Sequence, residues 1–317
     1  MSLTLQIAIA FLADILIGDP RNYPHPVKVI AYLAHKLELF SRKYISNPKM
    51  AGLFTTFSVV SISYFSVWLI IVGLAYIHPW LSWVASVFFI YTSLSVRSLF
   101  DESLPVLKYL QKSDLVKARN SLSNIVGRDT NNLGEKEIVR ATVETVSEST
   151  VDGIIAPLFF AGMGGAPLAI VYKSINTMDS LFGYKNDTYL LFGWASARLD
   201  DLANWFPARL TIPVMAVSAS FCGLSGKNSL AIAMRDGSKH PSPNSGIPEA
   251  AMAGALGVQL GGTSYYSGNI NSKPLIGDDL RELELSDITQ SHKIMFSSSL
   301  IVLAAVICLE MAHKTFN

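Results

Sequence analysis

Charge is what this chain has least of. Of 317 residues, 15% are Asp, Glu, Lys or Arg, against about 25% in an ordinary soluble domain. The formal net charge is +1, which excludes the basic footprint of nucleic-acid binding. Disorder is excluded as well, because it needs low hydrophobicity and high charge, whereas half of this chain is hydrophobic. With only two cysteines, Cys222 and Cys308, a disulfide scaffold is ruled out. Both lie in apolar runs, and neither CxxC nor zinc spacing occurs. A Walker A loop is missing too: residues 223–229 lack its length and the Ser/Thr after lysine. There is no dinucleotide fingerprint, nucleophile elbow or HExxH. Any nucleotide chemistry must use another kind of site.

What the chain does have is apolar length. Residues 51–96 contain no Asp, Glu, Lys or Arg. A membrane span needs about 20 apolar residues, so this stretch predicts two helices, near 51–77 and 79–96. Their break falls at His78–Pro79, since proline lacks an N–H and disfavours helix at the preceding residue. Trp68, Trp80 and Trp83 suit an interfacial belt. Further apolar segments lie near 3–17, 153–172, 210–226 and 294–309. Segment 3–17 lacks the basic start and cleavage site of a signal peptide and reads as retained. Segment 153–172 carries Pro157, Gly162, Gly164, Gly165 and Pro167, which predicts a broken or re-entrant helix. The mean hydropathy of +0.36 agrees with a bilayer setting. The expected fold is all-α: one polytopic membrane domain over residues 1–317, with about 4–6 transmembrane or re-entrant helices and helical cytoplasmic loops.

Between the apolar segments lie polar ones, 18–50, 97–152, 173–209 and 227–293. Segment 18–50 carries six Lys/Arg against two acids. That excess places it, and segment 97–152 two helices later, on the cytoplasmic side. Segment 173–209 shares that side if 153–172 and 210–226 dip back rather than span. Labelling a cysteine at position 185 from outside intact cells separates the two topologies.

These polar segments look like sites rather than connectors. In 18–27, Asp19 and His25 sit among three prolines and suit either metal binding or a stiff capped turn. Glu144, Glu148 and Asp152 recur every four residues, so on a helix they share one face, with Arg140 one turn earlier. Stacked carboxylates repel, and a divalent cation would offset that repulsion; a solvated face paired with Arg140 is the plainer alternative. Adjacent Asp200 and Asp201 point apart on a helix, suiting one metal ligand and one arginine partner, and Asn204 shares a face with Asp200. Residues 235–249 form a Pro/Ser/Asn/Gly loop that feeds a small-residue helix, whose start could hold an anion.

In order, GDPRNYPHPV, GRDT, ETVSESTVDGIIAPLFF, YKSINTMDSLFGYKN, FGWASARLDDLANWFPARLT and KHPSPNSGIPEAAMAGALGVQLGG resemble the cobalamin-biosynthesis CbiB/CobD family of integral membrane adenosylcobinamide-phosphate synthases. The resemblance spans residues 10–270. One departure is visible: the family commonly reads Ala-Glu-Asn where this chain has Ser147-Glu148-Ser149.

The resemblance implies a carbon–nitrogen ligase of vitamin B12 biosynthesis. It would join the free propionate of adenosylcobyric acid to the amine of 1-amino-2-propanol phosphate, or a close amino-alcohol phosphate, using ATP and Mg²⁺. Activation would run through an acyl phosphate or an acyl adenylate. For that reaction Glu148, Asp152, Asp200, Asp201 and His25 are the expected catalytic residues. Glu144, Glu148 and Asp200 are the expected metal ligands. Substrate and phosphate contacts are expected from Arg128, Asp129, Lys173, Asn176, Asp179, Asn204, Arg209, Arg235, His240, Ser242, Asn244 and Glu249. His25, His240, Asp179 and Glu249 are candidates to accept the amine's proton. The expected setting is the plasma membrane, with the site facing the cytoplasm, the corrinoid as substrate and other corrinoid-assembly membrane enzymes as partners. Two other readings compete: a transporter, since broken apolar helices and intramembrane acids such as Asp14 and Asp152 are transporter features, and a non-catalytic membrane sensor of the same superfamily.

Overall fold

A computed structural model describes residues 2–19, 25–184, 186–266 and 268–316. In chain order the helices are α1 (Leu3–Ile17), α2 (Pro26–Tyr44), α3 (Pro48–Ile77), α4 (Pro79–Tyr91), α5 (Val96–Leu110), α6 (Leu115–Leu122) and α7 (Glu135–Thr150). A π-helical turn, Val151–Ile155, then leads into α8 (Ala156–Phe182). Next come α9 (Trp194–Ala203), α10 (Trp205–Phe221), α11 (Gly226–Asp236) and α12 (Gly246–Leu256), the antiparallel hairpin β1 (Leu260–Tyr266) and β2 (Asn269–Ile276), and α13 (Leu285–Phe316). The expected helical architecture is borne out, with the hairpin as the one exception among the described residues. Nothing in the 260–276 composition had set that segment apart from the helical loops.

Helix boundaries follow local chemistry. Asn47 caps α3 by accepting from the amides of Lys49 and Met50, with Pro48 at the first position. His78 ends α3 and caps α4, again with proline next, so the break falls where the sequence put it. Such side-chain caps satisfy amides that the helix itself leaves unpaired. The predicted break in segment 153–172 lies at Gly164 and Gly165, where Gly165 has a φ of 64°, a conformation glycine reaches without steric penalty.

Among the described residues, four helical stretches are long and apolar enough to cross a membrane: Pro48–Ile77, Pro79–Leu110, Glu135–Phe182 and Leu285–Ala312. Most of the apolar face of α3 is exposed, including Phe57, Phe65, Trp68 and Leu69. Exposing such a side chain to water forfeits about 1.5–3 kcal/mol, which lipid contact restores. The chain is a multi-pass membrane protein. The predicted segment 79–96 divides into α4, a turn and the start of α5. Segment 210–226 takes in most of α10, the turn after it and the first residue of α11, and is not among the four stretches. Segment 294–309 is the middle of the longer α13.

The chain divides into two compact units. The first comprises residues 1–95, 156–204 and 303–317; the second comprises 96–155 and 205–302. In the first, Ile7, Phe11, Val59, Ile90, Leu158, Tyr172 and Phe192 are fully or almost fully buried. The ammonium of Lys49 lies 3.8 Å from the ring centre of Trp194, and the Arg42 guanidinium lies 4.1 Å from that of Phe192. Basic groups on aromatic faces suit a membrane–water boundary. In the second, Val106, Leu110, Leu122, Ile138, Met215, Ile232 and Ile294 form one core with the small face of α12, Ala250 to Ala253. A side chain at Gly254 would come within 2.4 Å of the Asn228 carbonyl of α11, so close packing accounts for that small residue.

Candidate functional site

The first unit gathers a group of acids and amides where α8 and α9 meet. Asp200 accepts from the side-chain amide of Asn204 at 3.0 Å. Asn204 in turn accepts from the Tyr172 hydroxyl at 2.9 Å. Its bound oxygen is thereby fixed, while Asp200 Oδ1 is buried with no hydrogen bond. Burial and the nearby charge of Asp179 push the Asp200 carboxyl up to about 7, against the partial opposition of Asn204 and Asn176. Asp201 turns the other way, toward Arg198 at 3.5 Å, as the adjacent-acid spacing predicts. Lys173 reaches Ser95 at 3.4 Å. In this same unit His25 caps α2 through Nδ1, and its Nε2 lies 3.3 Å from Asp19. Pro20 to Pro24 and Lys185 lie outside the described residues.

The second unit holds the other predicted residues. Arg128 and Glu144 form a buried pair at 2.6 Å. Glu144 also accepts the Gly261 amide at 2.8 Å and has Arg140 at 3.9 Å. Those partners occupy both of its oxygens, which gives Glu144 an employment other than metal binding. Asp129 fastens the hairpin tip: its carboxylate takes the Gly268 amide and its own amide donates to Tyr265, both at 2.8 Å. One turn along α7, Glu148 accepts from the Ser245 hydroxyl at 2.8 Å. The Ser242 hydroxyl accepts the amides of Asn244 and Ser245, each at 3.3 Å. Arg209 stacks on Trp205 at 4.3 Å and donates to Asn244 at 3.2 Å.

Glu249 and His240 of this unit keep buried polar atoms without hydrogen bonds, as do Arg140, Ser229 and Gln290. Glu249, in the first turn of α12, has neither carboxylate oxygen hydrogen-bonded, and His240 has Nε2 unpaired. Burial, then the charge of Glu144, raises the Glu249 carboxyl to about 8, with Lys273 and Arg128 opposing. Burial holds the His240 imidazole below its ordinary value, and Lys273 adds to this.

Two expectations meet different geometry. Arg235 grips buried Asp236 through two bonds of 2.8 Å and reaches Asp278 at 2.8 Å. It holds Asp236 well below the usual carboxylate range, and Asp236 anchors the Gly277 amide. This is a structural clasp at the exit of the hairpin. Asp152 lies in the π-helical turn Val151–Ile155 rather than in α7. Pro157 supplies the reason: it has no N–H to offer Gly153 and its ring crowds that carbonyl. Among the described residues, no three His, Cys, Asp or Glu side chains converge as a metal centre.

Sequence reasoning did not pick out Ser245, Tyr172, Asp236 or Lys273. Ser245 lay in plain view inside the 235–249 loop. Lys273 is the one cation in β2, a signal that becomes legible only once the hairpin is known.

Comparison with known proteins bears on all of these segments. The family described as "CobD/Cbib protein" matches residues 7–295. A "Cobalamin biosynthesis protein CobD" of Geobacter metallireducens is 50% identical over 299 residues, covering 94% of this chain and 94% of its own length. The protein of that name from Leptospira interrogans is 48% identical over 295 residues, covering 93% and 94%. A "Cobalamin biosynthesis protein CbiB" of Salmonella typhimurium is 44% identical over 306 residues, covering 96% of each. No solved structure matches the chain.

Proposed function

The chain belongs to the CobD/CbiB family, and from that premise we propose that it is an amide-forming ligase of cobalamin biosynthesis. Adenosylcobyric acid and an amino-alcohol phosphate such as 1-amino-2-propanol phosphate are joined with ATP and Mg²⁺ to give adenosylcobinamide phosphate. The observation that carries this reading is the family match over residues 7–295, which covers every segment bearing a candidate residue. The unpaired buried carboxylates support it, since they are reactive or ligating groups rather than packing.

The chemistry divides among the chain's own groups. A carboxylate must be activated before an amine attacks it, and the amine must lose a proton. Asp200 fits a magnesium-binding role, because its Oδ1 is buried and unsatisfied beside Asp179. Magnesium bound with nucleotide phosphates needs only one or two protein carboxylates. When bound it would neutralise phosphate charge. Asn204 and Tyr172 keep the Asp200 side chain in one orientation. Arg209, stacked on Trp205, presents a fork suited to phosphate. Glu148 orders the 242–245 loop through Ser245. Asp179, His25, His240 and Glu249 are the groups available to take the amine's proton. The reaction is expected on the cytoplasmic side of the plasma membrane, where ATP is.

The test is ligation by purified protein in nanodiscs, read as corrinoid mass. An ATP-dependent gain of one amide-linked aminopropanol phosphate is the expected result. Substrate flux in sealed vesicles with no such product would replace this reading with transport. Binding without turnover or flux would replace it with sensing.

A further inference from the structure

In the first unit, the end of α3 and the start of α4 frame a cavity of about 550 Å³. Gln6 of α1, Ala75 of α3, and His78, Trp80, Ser82 and Trp83 at the turn into α4 line it. Ligand sites of this size are mostly apolar with a few placed polar groups, and this lining has that character. The rings of Trp80 and Trp83 stack, with centres 4.9 Å apart and planes 15° apart. Trp80 is half exposed and Trp83 is buried, at 8%.

The indole N–H of Trp83 has no acceptor. A buried tryptophan N–H usually finds one, and leaving it without costs about 1–3 kcal/mol. Two other buried ring or guanidinium nitrogens without hydrogen bonds, Nε of Arg140 and Nε2 of His25, have carboxylates at 3.9 Å and 3.3 Å. Trp83 instead faces a lining that is itself made of donors. Nδ1 of His78 accepts the Trp80 amide at 3.2 Å, so the neutral ring carries its proton on Nε2. Gln6 has two amide protons and Ser82 a hydroxyl. Among the described residues, no Asp, Glu, Lys or Arg lines the cavity. It suits an acceptor-rich group and offers a simple cation no counter-charge.

Its place in the fold says where such a group comes from. Residues 51–77 of α3 carry no charge and extend about 40 Å, more than the hydrocarbon core of about 30 Å. The cavity at the far end of α3 thus lies at the membrane boundary opposite residues 18–50, where tryptophans collect. Tyr76, Ile77, Leu81 and Val84 beside it are exposed, an apolar surface of the kind acyl chains cover.

We infer that this cavity holds the phosphate and ester region of one membrane phospholipid in the leaflet opposite residues 18–50. Trp83 Nε1–H donates to it, and its acyl chains lie along the exposed faces of α3 and α4. None of the lining residues belongs to the proposed ligation machinery, so the site stands or falls apart from that reading.

The test is lipid titration of the delipidated full-length protein in a neutral detergent, read by native mass spectrometry. The probes are a phosphatidylglycerol, the diacylglycerol with the same chains, and glycerophosphoglycerol, the same lipid without its chains. The phosphatidylglycerol is expected to fill one saturable site at least about tenfold more tightly than either fragment. Trp83→Phe keeps an aromatic ring, removes the donor and weakens this first lipid by about tenfold. Gln6→Leu weakens it by about threefold. Trp68→Phe, at an exposed tryptophan elsewhere on α3, leaves it unchanged. Equal affinity for the diacylglycerol overturns the inference, because apolar contact alone then explains binding. Equal affinity for glycerophosphoglycerol overturns it too, because the acyl chains then contribute nothing. Wild-type affinity in both Trp83→Phe and Gln6→Leu overturns it and leaves water as the indole's acceptor. A loss in Trp68→Phe as large as in Trp83→Phe overturns it in favour of a general aromatic belt.

Discussion

The hydroxyl of Ser245 donates to Glu148 across 2.8 Å, tying the loop before α12 to α7 through one bond to a charged group. Bonds of this kind contribute about 1.5–3 kcal/mol. Ser245→Ala should therefore lower the thermal midpoint measurably and make the loop an earlier site of proteolysis. Limited proteolysis with mass readout checks this; an unchanged cleavage pattern would show that the bond does not hold the loop.

Arg128 and Glu144 form a pair in which both side chains are under 10% exposed, at 8% and 3%. Removing one partner strands the other's charge, a loss of about 3–5 kcal/mol. Arg128→Met and Glu144→Gln should each destabilise strongly. The double variant Arg128→Met/Glu144→Met should recover much of that loss, because no charge remains unpaired. Melting in detergent measures all three. Additive losses in the double variant would contradict the pairing.

Glu249 gives stability a pH slope. Burial, and then the charges of Glu144 and Glu148, raise its carboxyl from 4.5 to about 8, with Lys273 and Arg128 opposing. Over that interval the folded chain keeps a proton that the unfolded chain has released. Stability therefore falls as pH rises from about 4.5 to about 8 and levels off above. Glu249→Gln cannot ionise and should flatten this part of the curve. Melting between about pH 5 and about pH 9 reads the difference, and parallel curves for the two proteins would refute the assignment.

Asp200 should be essential for product and dispensable for folding. Asp200→Asn keeps the shape and the bond to Asn204 while removing the charge, so turnover should fall by about a hundredfold or more at an unchanged elution volume. Asp200→Glu should retain partial activity with a raised Mg²⁺ requirement. Near-normal turnover in Asp200→Asn would end its proposed role.

Much of the fold was legible because bilayer spans announce themselves by length and by missing charge. The break at His78–Pro79 and the interruption at Gly164–Gly165 were both readable from residues that cannot continue a helix. The hairpin was not, since residues 260–276 carry glycine, serine and asparagine with little alternation. Their pairing is decided by Asp129, Arg128, Arg140 and Glu144, which lie more than a hundred residues away. At the candidate site, residue types were readable and partners were not. The i+4 spacing grouped Glu144 with Glu148 correctly. It also reached Asp152, which lies beyond α7 in the π-helical turn that the spacing did not announce. Arg235 was expected to contact phosphate because substrate phosphates need cations, whereas in the structure it pairs with its neighbour Asp236.

The interruption of α8 at Gly164–Gly165 has an electrical consequence. Main-chain groups released by a broken helix cannot be left in hydrocarbon and must find protein or water. Water or polar groups drawn to those main-chain atoms would raise the local dielectric and thin the insulating slab along α8. The membrane voltage would then drop over a shorter distance there than across intact bilayer, and a charge placed near the break would feel a steeper field than one at the same depth beside α3.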